Sequence, residues 1–344
     1  MAILQRESQQ IYIMKALAVY SIIAAHCKLP MMENYSGSLS VMLTATKYFG
    51  EIGVPVFLVL SGRLFDRNRR FPDFLRNKCK KIVLPWMCCS LLVWIYMFIQ
   101  GDFYDLLRWL LGIGNVYWYM PVLCLYFVVF YVLHNVNLRG GVFIVSIIYH
   151  VVVYDLCAVN IVAAENCVIL GNFLKHMPFF LMGLLINDFN LKGHIYRILN
   201  SHIAMVITCL VLIITAGYNH IKFGDINYDS PLFLVFSSAG IIMIAWISLK
   251  IQSNSGYIKN AFATIGKESY FIYLLHLPFA GILSNILSRN LVTAYMIAFY
   301  PLFIIIILHF AAGMMTWFCK KTGIWGLLSI FGLQKNCIEK AEGI

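Results

Sequence analysis

The sequence predicts an all-α fold, a polytopic transmembrane helical bundle, from three observations. Of 344 residues, 61% are hydrophobic and 12% charged, and the mean hydropathy is +0.80. Apolar runs long enough to cross a hydrocarbon layer recur along nearly the whole chain. The basic residues between them alternate between rich and poor loops. A soluble chain of this size needs far more charged surface, so lipid is the main solvent.

In order, the runs give about ten spans, near 11–28, 47–65, 82–100, 117–134, 140–158, 171–187, 203–218, 231–249, 269–288 and 292–318. With the N-terminus inside, the outer loops and helix ends hold only Lys28, Lys47, Arg108, Lys175, Lys222 and Arg289 of the 26 Lys and Arg. The rest lie on the inner side, most densely in "RLFDRNRRFPDFLRNKCKK", residues 63–81, where eight basic residues separate two spans. Both termini are therefore expected in the cytoplasm, and an even number of spans agrees. The net charge of +11 follows topology rather than a nucleic-acid groove, so no nucleic-acid partner is expected. The first span is expected to be retained, because "AAHC" lacks the small residue before cysteine that lipoprotein processing uses. No repeat, linker or long polar stretch interrupts the chain, which predicts one membrane domain over 1–330 and a short cytoplasmic tail over 331–344. Ten cysteines, including Cys88 and Cys89, form no metal-like CxxC pairs and read as small packing residues, so no metal is expected.

Function then sits in or beside the membrane, where an ionisable side chain inside a span costs about 2.5–3.5 kcal/mol on insertion scales. Lys15 and His26, in "KALAVYSIIAAHC", are eleven residues apart. At 100° per residue that is about 20° from three full turns, so they share one helix face about 16 Å apart in depth. Singly, Lys15 is a snorkelling anchor and His26 an interfacial or packing histidine; neither reading explains the shared face. In "FGEIGVPVFLVLSGRLF", Glu51 opens a span and Pro55 kinks it unless it falls in the first turn. Ser61-Gly62 lies near its inner end, where close helix packing is the plainer reading. "NVYWYMPVLCLYF" sets Trp118 between Tyr117 and Tyr119, as an interfacial belt or a cavity lining. "IGKESYFIYLLHLPF" puts Tyr273 and His276 at depth ahead of Pro278. Most of the other histidines, among them His150 and His176, read as solvated or interfacial; His309 falls inside a span without an assigned role.

These segments resemble the acyltransferase 3 family of integral membrane acyltransferases, which modify surface polysaccharides and related glycans. Lys15 through His26 fits the family's Arg/Lys-x10-His pattern. "GVPVFLVLSG", "YWYMPVLCLYF", "FFLMGLL" and "IGKESYFIYLLHLPF" are similar to its further segments, in family order. Two departures stand out: Arg63 follows Ser61-Gly62 where relatives usually carry an aromatic or aliphatic residue, and "NVYW" lacks the small polar residue or histidine often found before the tryptophan.

The resemblance implies a ten-helix enzyme of the cytoplasmic (inner) membrane. Such an enzyme passes an acyl group, usually acetyl from cytoplasmic acetyl-CoA, to a hydroxyl of a surface polysaccharide or lipid-linked sugar; succinyl or another short acyl group fits as well. His26 is then the base, since an unperturbed imidazole titrates at about 6.5. Lys15 holds the donor and Glu51 orients or charge-balances His26, while Ser61, Trp118, Tyr273 and His276 shape the acceptor cavity. Arg63, Arg67, Arg69 and Arg70, with the basic cluster over 76–81, hold the coenzyme A phosphates, or else set orientation and bind anionic lipid. Competing readings are a glycan transporter or flippase, which inverted repeats would favour, and a non-enzymatic membrane component of polysaccharide assembly.

Overall fold

The computed structural model describes residues 2–26, 37–66, 70–133, 135–158, 168–254, 256–287 and 299–333. In chain order the helices are α1 (Ala2–Ala25), α2 (Ser38–Gly50), α3 (Gly53–Arg63), α4 (Phe71–Lys78), α5 (Leu84–Ile99), α6 (Leu106–Leu110), α7 (Tyr119–Val132), α8 (Val136–Ala158), α9 (Val168–Asp188), α10 (Lys192–Leu199), α11 (His202–Phe223), α12 (Pro231–Ser253), α13 (Tyr257–Leu287), α14 (Tyr300–Thr322) and α15 (Gly326–Ile330). Among the described residues, six stretches are long and apolar enough to cross a membrane: Ser40–Arg63, Phe71–Ile99, Ile169–Asp188, His202–Phe223, Pro231–Ser253 and Tyr300–Thr322. Val116–Val132 and Val136–Val152 are shorter apolar helices. The chain is a polytopic helical membrane protein. α1 and α13 stand in neither group, and they are the helices that carry Lys15, Lys267, Glu268 and His276.

Two local features refine the sequence expectation, the first by taking its first-turn alternative for Pro55. The span containing Pro55 is broken rather than kinked: α2 ends at Gly50, Glu51 and Ile52 form a turn, and Pro55 falls in the first turn of α3. There its missing N–H costs no intrahelical bond. The inner basic stretch is not a loop as far as residue 81, because α4 begins at Phe71. Asp73 stands in its first turn and Arg76 and Lys78 in its last, which suits the helix dipole, while Phe74 is buried. A π turn over Cys79–Val83 joins α4 to α5. The wide turn lies directly ahead of Pro85, which has no N–H to return to the helix. The Tyr270 hydroxyl donates to the Ile82 carbonyl within that turn at 2.6 Å.

The chain divides into two compact units, one made of Met1–Gly53, Phe71–Leu110 and Lys250–Ile344, the other of Val54–Arg70 and Leu111–Leu249. In the first unit α1 lies along α13 and also packs on α2 and α14. A Cβ on Gly266 would fall on the Tyr12 carbonyl, so glycine lets α13 touch the α1 backbone. Gly50 meets the Ala25 backbone, and Gly53 meets Ala18 and Ile22, in the same way. Ser21 on α1 donates toward the carbonyls of Phe49 at 2.5 Å and Gly50 at 3.0 Å. It thereby satisfies acceptors exposed where α2 stops.

The second unit is centred on α9, packed against α7 and α8. Tyr126, Phe127 and Phe130 of α7 surround Phe180 of α9 with ring centroids 5.1 to 6.0 Å apart. Within this unit α3 and α9 interlock through glycine on both sides: a Cβ on Gly62 would strike the Phe180 carbonyl, and one on Gly183 the Val59 carbonyl. The plain packing reading of Gly62 is what this contact shows. Arg139, fully buried, pairs with Asp188 at 3.0 Å and donates from Nε to the Leu133 carbonyl at 2.6 Å.

Candidate active site

The first unit holds two polar clusters along α1. α1 is continuous through Ala25, and the His26 N–H donates to the Ile23 carbonyl at 3.1 Å, closing the last turn. The helical spacing between Lys15 and His26 therefore holds, and each residue marks one cluster.

At the Lys15 end, the Lys15 ammonium lies 5.7 Å and the Lys267 ammonium 5.9 Å from the centroid of the Tyr12 ring. The close approach of Gly266 to Tyr12 is what brings Lys267, the next residue of α13, to this place. One aromatic ring thus gathers two cations, which it attracts through its quadrupole. Tyr270, three residues further along α13, is the residue tied to Ile82 of the π turn. That turn also carries Lys80 and Lys81, both exposed.

At the other end, the His26 and His276 rings face each other with centroids 5.2 Å apart and planes 33° from parallel. His276 is fully buried, and its Nδ1 lies 2.6 Å from the Tyr273 carbonyl oxygen. A carbonyl only accepts, so Nδ1 carries the hydrogen and Nε2 keeps its lone pair. The Tyr273 ring stands 5.9 Å from the His276 ring. Because Gly50 touches Ala25, the Glu51 turn begins beside the residue that precedes His26. Two pairings in the same order, Tyr12 with Gly266 and His26 with His276, mean that α1 and α13 run in the same direction.

Ser61 and Trp118 belong to the second unit. Ser61 is hydrogen-bonded to the buried Tyr119 side chain. Trp118 closes a short 3-10 turn, Val116–Trp118, where the Asn115 side chain accepts from the Tyr117 N–H at 2.8 Å. Its ring lies 4.8 Å from that of His176. Tyr117 and Tyr119 are buried, which is interior packing and not an interfacial belt. Of the expected phosphate contacts, Arg63 ends α3 and its carbonyl accepts from the Asn187 amide at 2.5 Å, and Arg70 is exposed. Arg67 and Arg69 lie outside the described residues.

Sequence reading missed several partners. Tyr12 and Lys267 lie at the edges of the apolar runs 11–28 and 269–288, where a polar residue draws no attention, although both helices continue well beyond them. His309 acquires a role: its Nδ1 lies 2.6 Å from the Glu268 carboxylate on α13. His150 and His176 are not solvated but buried, each with Nδ1 against the carbonyl four residues back, Ser146 at 3.0 Å and Asn172 at 3.1 Å. That i−4 bond is what allows a histidine inside a helix bundle, and hydropathy does not show it.

A membrane bundle with ionisable groups gathered on facing helices defines a protein that carries out chemistry or transport within its spans. Residues 9–318 match the acyltransferase domain of the acyltransferase 3 family, and the chain belongs to that family. It is a membrane acyltransferase, moving an acyl group other than an aminoacyl group. No curated protein matches the chain, and no solved structure does.

Proposed function

We propose that the protein transfers an acyl group, acetyl from cytoplasmic acetyl-CoA, to a hydroxyl of a surface polysaccharide or lipid-linked glycan, with His26 as base and Lys15 on the donor. The observation that carries this reading is the separation of two clusters along α1, cations at the Lys15 end and a histidine pair at the His26 end. Acyl transfer asks for both: cations for a polyanionic donor, and a neutral imidazole near working pH for the hydroxyl proton.

The step is balanced as follows. His26 takes the hydroxyl proton, the oxygen bonds to the thioester carbonyl carbon, the carbon–sulfur bond breaks, and the thiolate recovers the proton as free thiol. Lys267 joins Lys15 on the donor, with Lys80 and Lys81 near the phosphates. Glu51 orients or charge-balances His26. Tyr273 and His276 line the acceptor side, a role that Ser61 and Trp118 share on the family resemblance. Arg63, Arg67, Arg69 and Arg70 are assigned to the donor phosphates on the same basis.

In this reading residues 1–330 form one catalytic domain of ten spans in the cytoplasmic (inner) membrane, with residues 331–344 as a cytoplasmic tail. The common direction of α1 and α13 supports it, since they are the first and ninth spans. The donor end then faces the cytoplasm and His26 the outer side. The test is transfer of radiolabel from acetyl-CoA into a glycan extract of the host by purified protein in nanodiscs. Acceptor-dependent labelling by wild type and its loss in His26→Ala is the expected result; labelling undiminished by the substitution overturns the assignment of the base.

A further inference from the structure

We propose that His276 is a positioning residue for His26, its Nε2 accepting a hydrogen bond from the His26 ring as that ring takes up the acceptor hydroxyl's proton. The inference rests on the acyl-transfer reading above and adds the group that holds the base.

Three observations carry it. The Nδ1 contact to the Tyr273 carbonyl at 2.6 Å fixes the tautomer, so Nε2 can only accept. Nε2 is buried, on a fully buried side chain, and has no hydrogen-bond partner among the described residues. An acceptor held inside a bundle without a donor is costly and calls for one. Of the rings set beside His276, that of His26 stands at 5.2 Å between centroids and that of Tyr273, its own helix neighbour, at 5.9 Å; His26 is the one from a facing helix whose second nitrogen needs an acceptor once it is protonated. The distance is that of a resting pair, and catalytic hydrogen bonds commonly tighten only when substrate is bound.

The pairing has a definite chemical use. When one His26 nitrogen receives the hydroxyl proton, the ring becomes an imidazolium and its other nitrogen carries a hydrogen that needs an acceptor. Nε2 of His276 supplies it, as the third member of a nucleophile–base–orienter set does. His276 itself neither gains nor loses a proton, and the proton on His26 leaves with the thiol.

The test separates Nε2 from the structural bond. In His276→Asn the amide nitrogen stands where Nδ1 does, so the bond to Tyr273 survives and only Nε2 is removed. His276→Gln returns a polar acceptor near the Nε2 position. In the nanodisc assay with radiolabelled acetyl-CoA and host glycan extract, His276→Asn is expected to lower kcat by about 10²-fold with the KM for acetyl-CoA unchanged. His276→Gln is expected to be less impaired, and His26→Ala combined with His276→Asn to be no slower than His26→Ala alone. A raised KM for acetyl-CoA with kcat retained, or losses that multiply in the double variant, overturns the proposal and makes His276 a donor contact or a packing residue.

A second measurement needs no acceptor. In full-length protein labelled with 15N-histidine, the His276 Nε2 resonance is expected to have lone-pair character and to move on His26→Asn; an unmoved resonance refutes the pairing. If wild type transfers no label while that resonance moves, the acyl donor or acceptor has been misassigned and the histidine pair stands.

Discussion

Removing the His26 imidazole is expected to lower transfer by about 10²–10⁴-fold, the range that general-base catalysis contributes, without unfolding the protein. Label incorporation alongside a melting curve of the same sample checks both parts. Lys15→Ala and Lys267→Ala are each expected to raise the KM for acetyl-CoA, and together to raise it further, because both ammonium groups share the Tyr12 ring. Donor titrations against each variant decide this, and an unchanged KM in both variants removes the cluster from the donor site. At this scale the sequence exposed Lys15 and His26 because a charge and an imidazole interrupt an apolar run. It concealed Lys267 and the His26–His276 pair, since 250 residues separate the two histidines and no local pattern joins them.

Helix by helix, glycine is what lets backbones touch. Gly183→Val is expected to destabilise the protein by about 1–3 kcal/mol, as overpacking does, because the new side chain meets the Val59 carbonyl and the Arg63 N–H, neither of which can swing away. Gly217→Ala in α11 meets nothing within 4 Å and is expected to be neutral or slightly stabilising. Thermal unfolding in one detergent compares the two, and equal melting temperatures refute the interlock of α3 with α9. Apolar runs located the helices well because hydropathy reports solvent preference. They did not locate the break at Glu51 and Ile52 or the start of α4 at Phe71. Those boundaries come from backbone bonding and from Ser21 meeting exposed carbonyls, neither of which changes hydropathy.

For the molecule as a whole, the buried Arg139–Asp188 pair is a point where stability concentrates. Arg139→Ala leaves the carboxylate buried without its cation and is expected to cost about 3–5 kcal/mol, seen as a lowered melting temperature and poor expression. Arg139→Lys is expected to rescue only in part, because lysine lacks the fork that reaches both Asp188 and the Leu133 carbonyl. Topology has its own test. A cysteine at position 26, in a protein otherwise free of cysteine, is expected to react with an impermeant thiol reagent applied from outside. Labelling only from the cytoplasmic side reverses the proposed orientation.

Composition by itself determined that the chain lives in lipid, and hydropathy that it crosses as helices. The order of five short motifs determined the family, because each records a local pairing of small, polar and aromatic residues that helices carry in sequence. Tertiary structure decided which polar residues meet. It set Lys267 beside Lys15 through the Gly266–Tyr12 contact, gave His309 to Glu268, buried His176 against Trp118, and turned His276 toward His26. The reason is physical: a helix shows its own periodicity to a reader of sequence, whereas the partner of a buried polar group is chosen by packing between helices hundreds of residues apart.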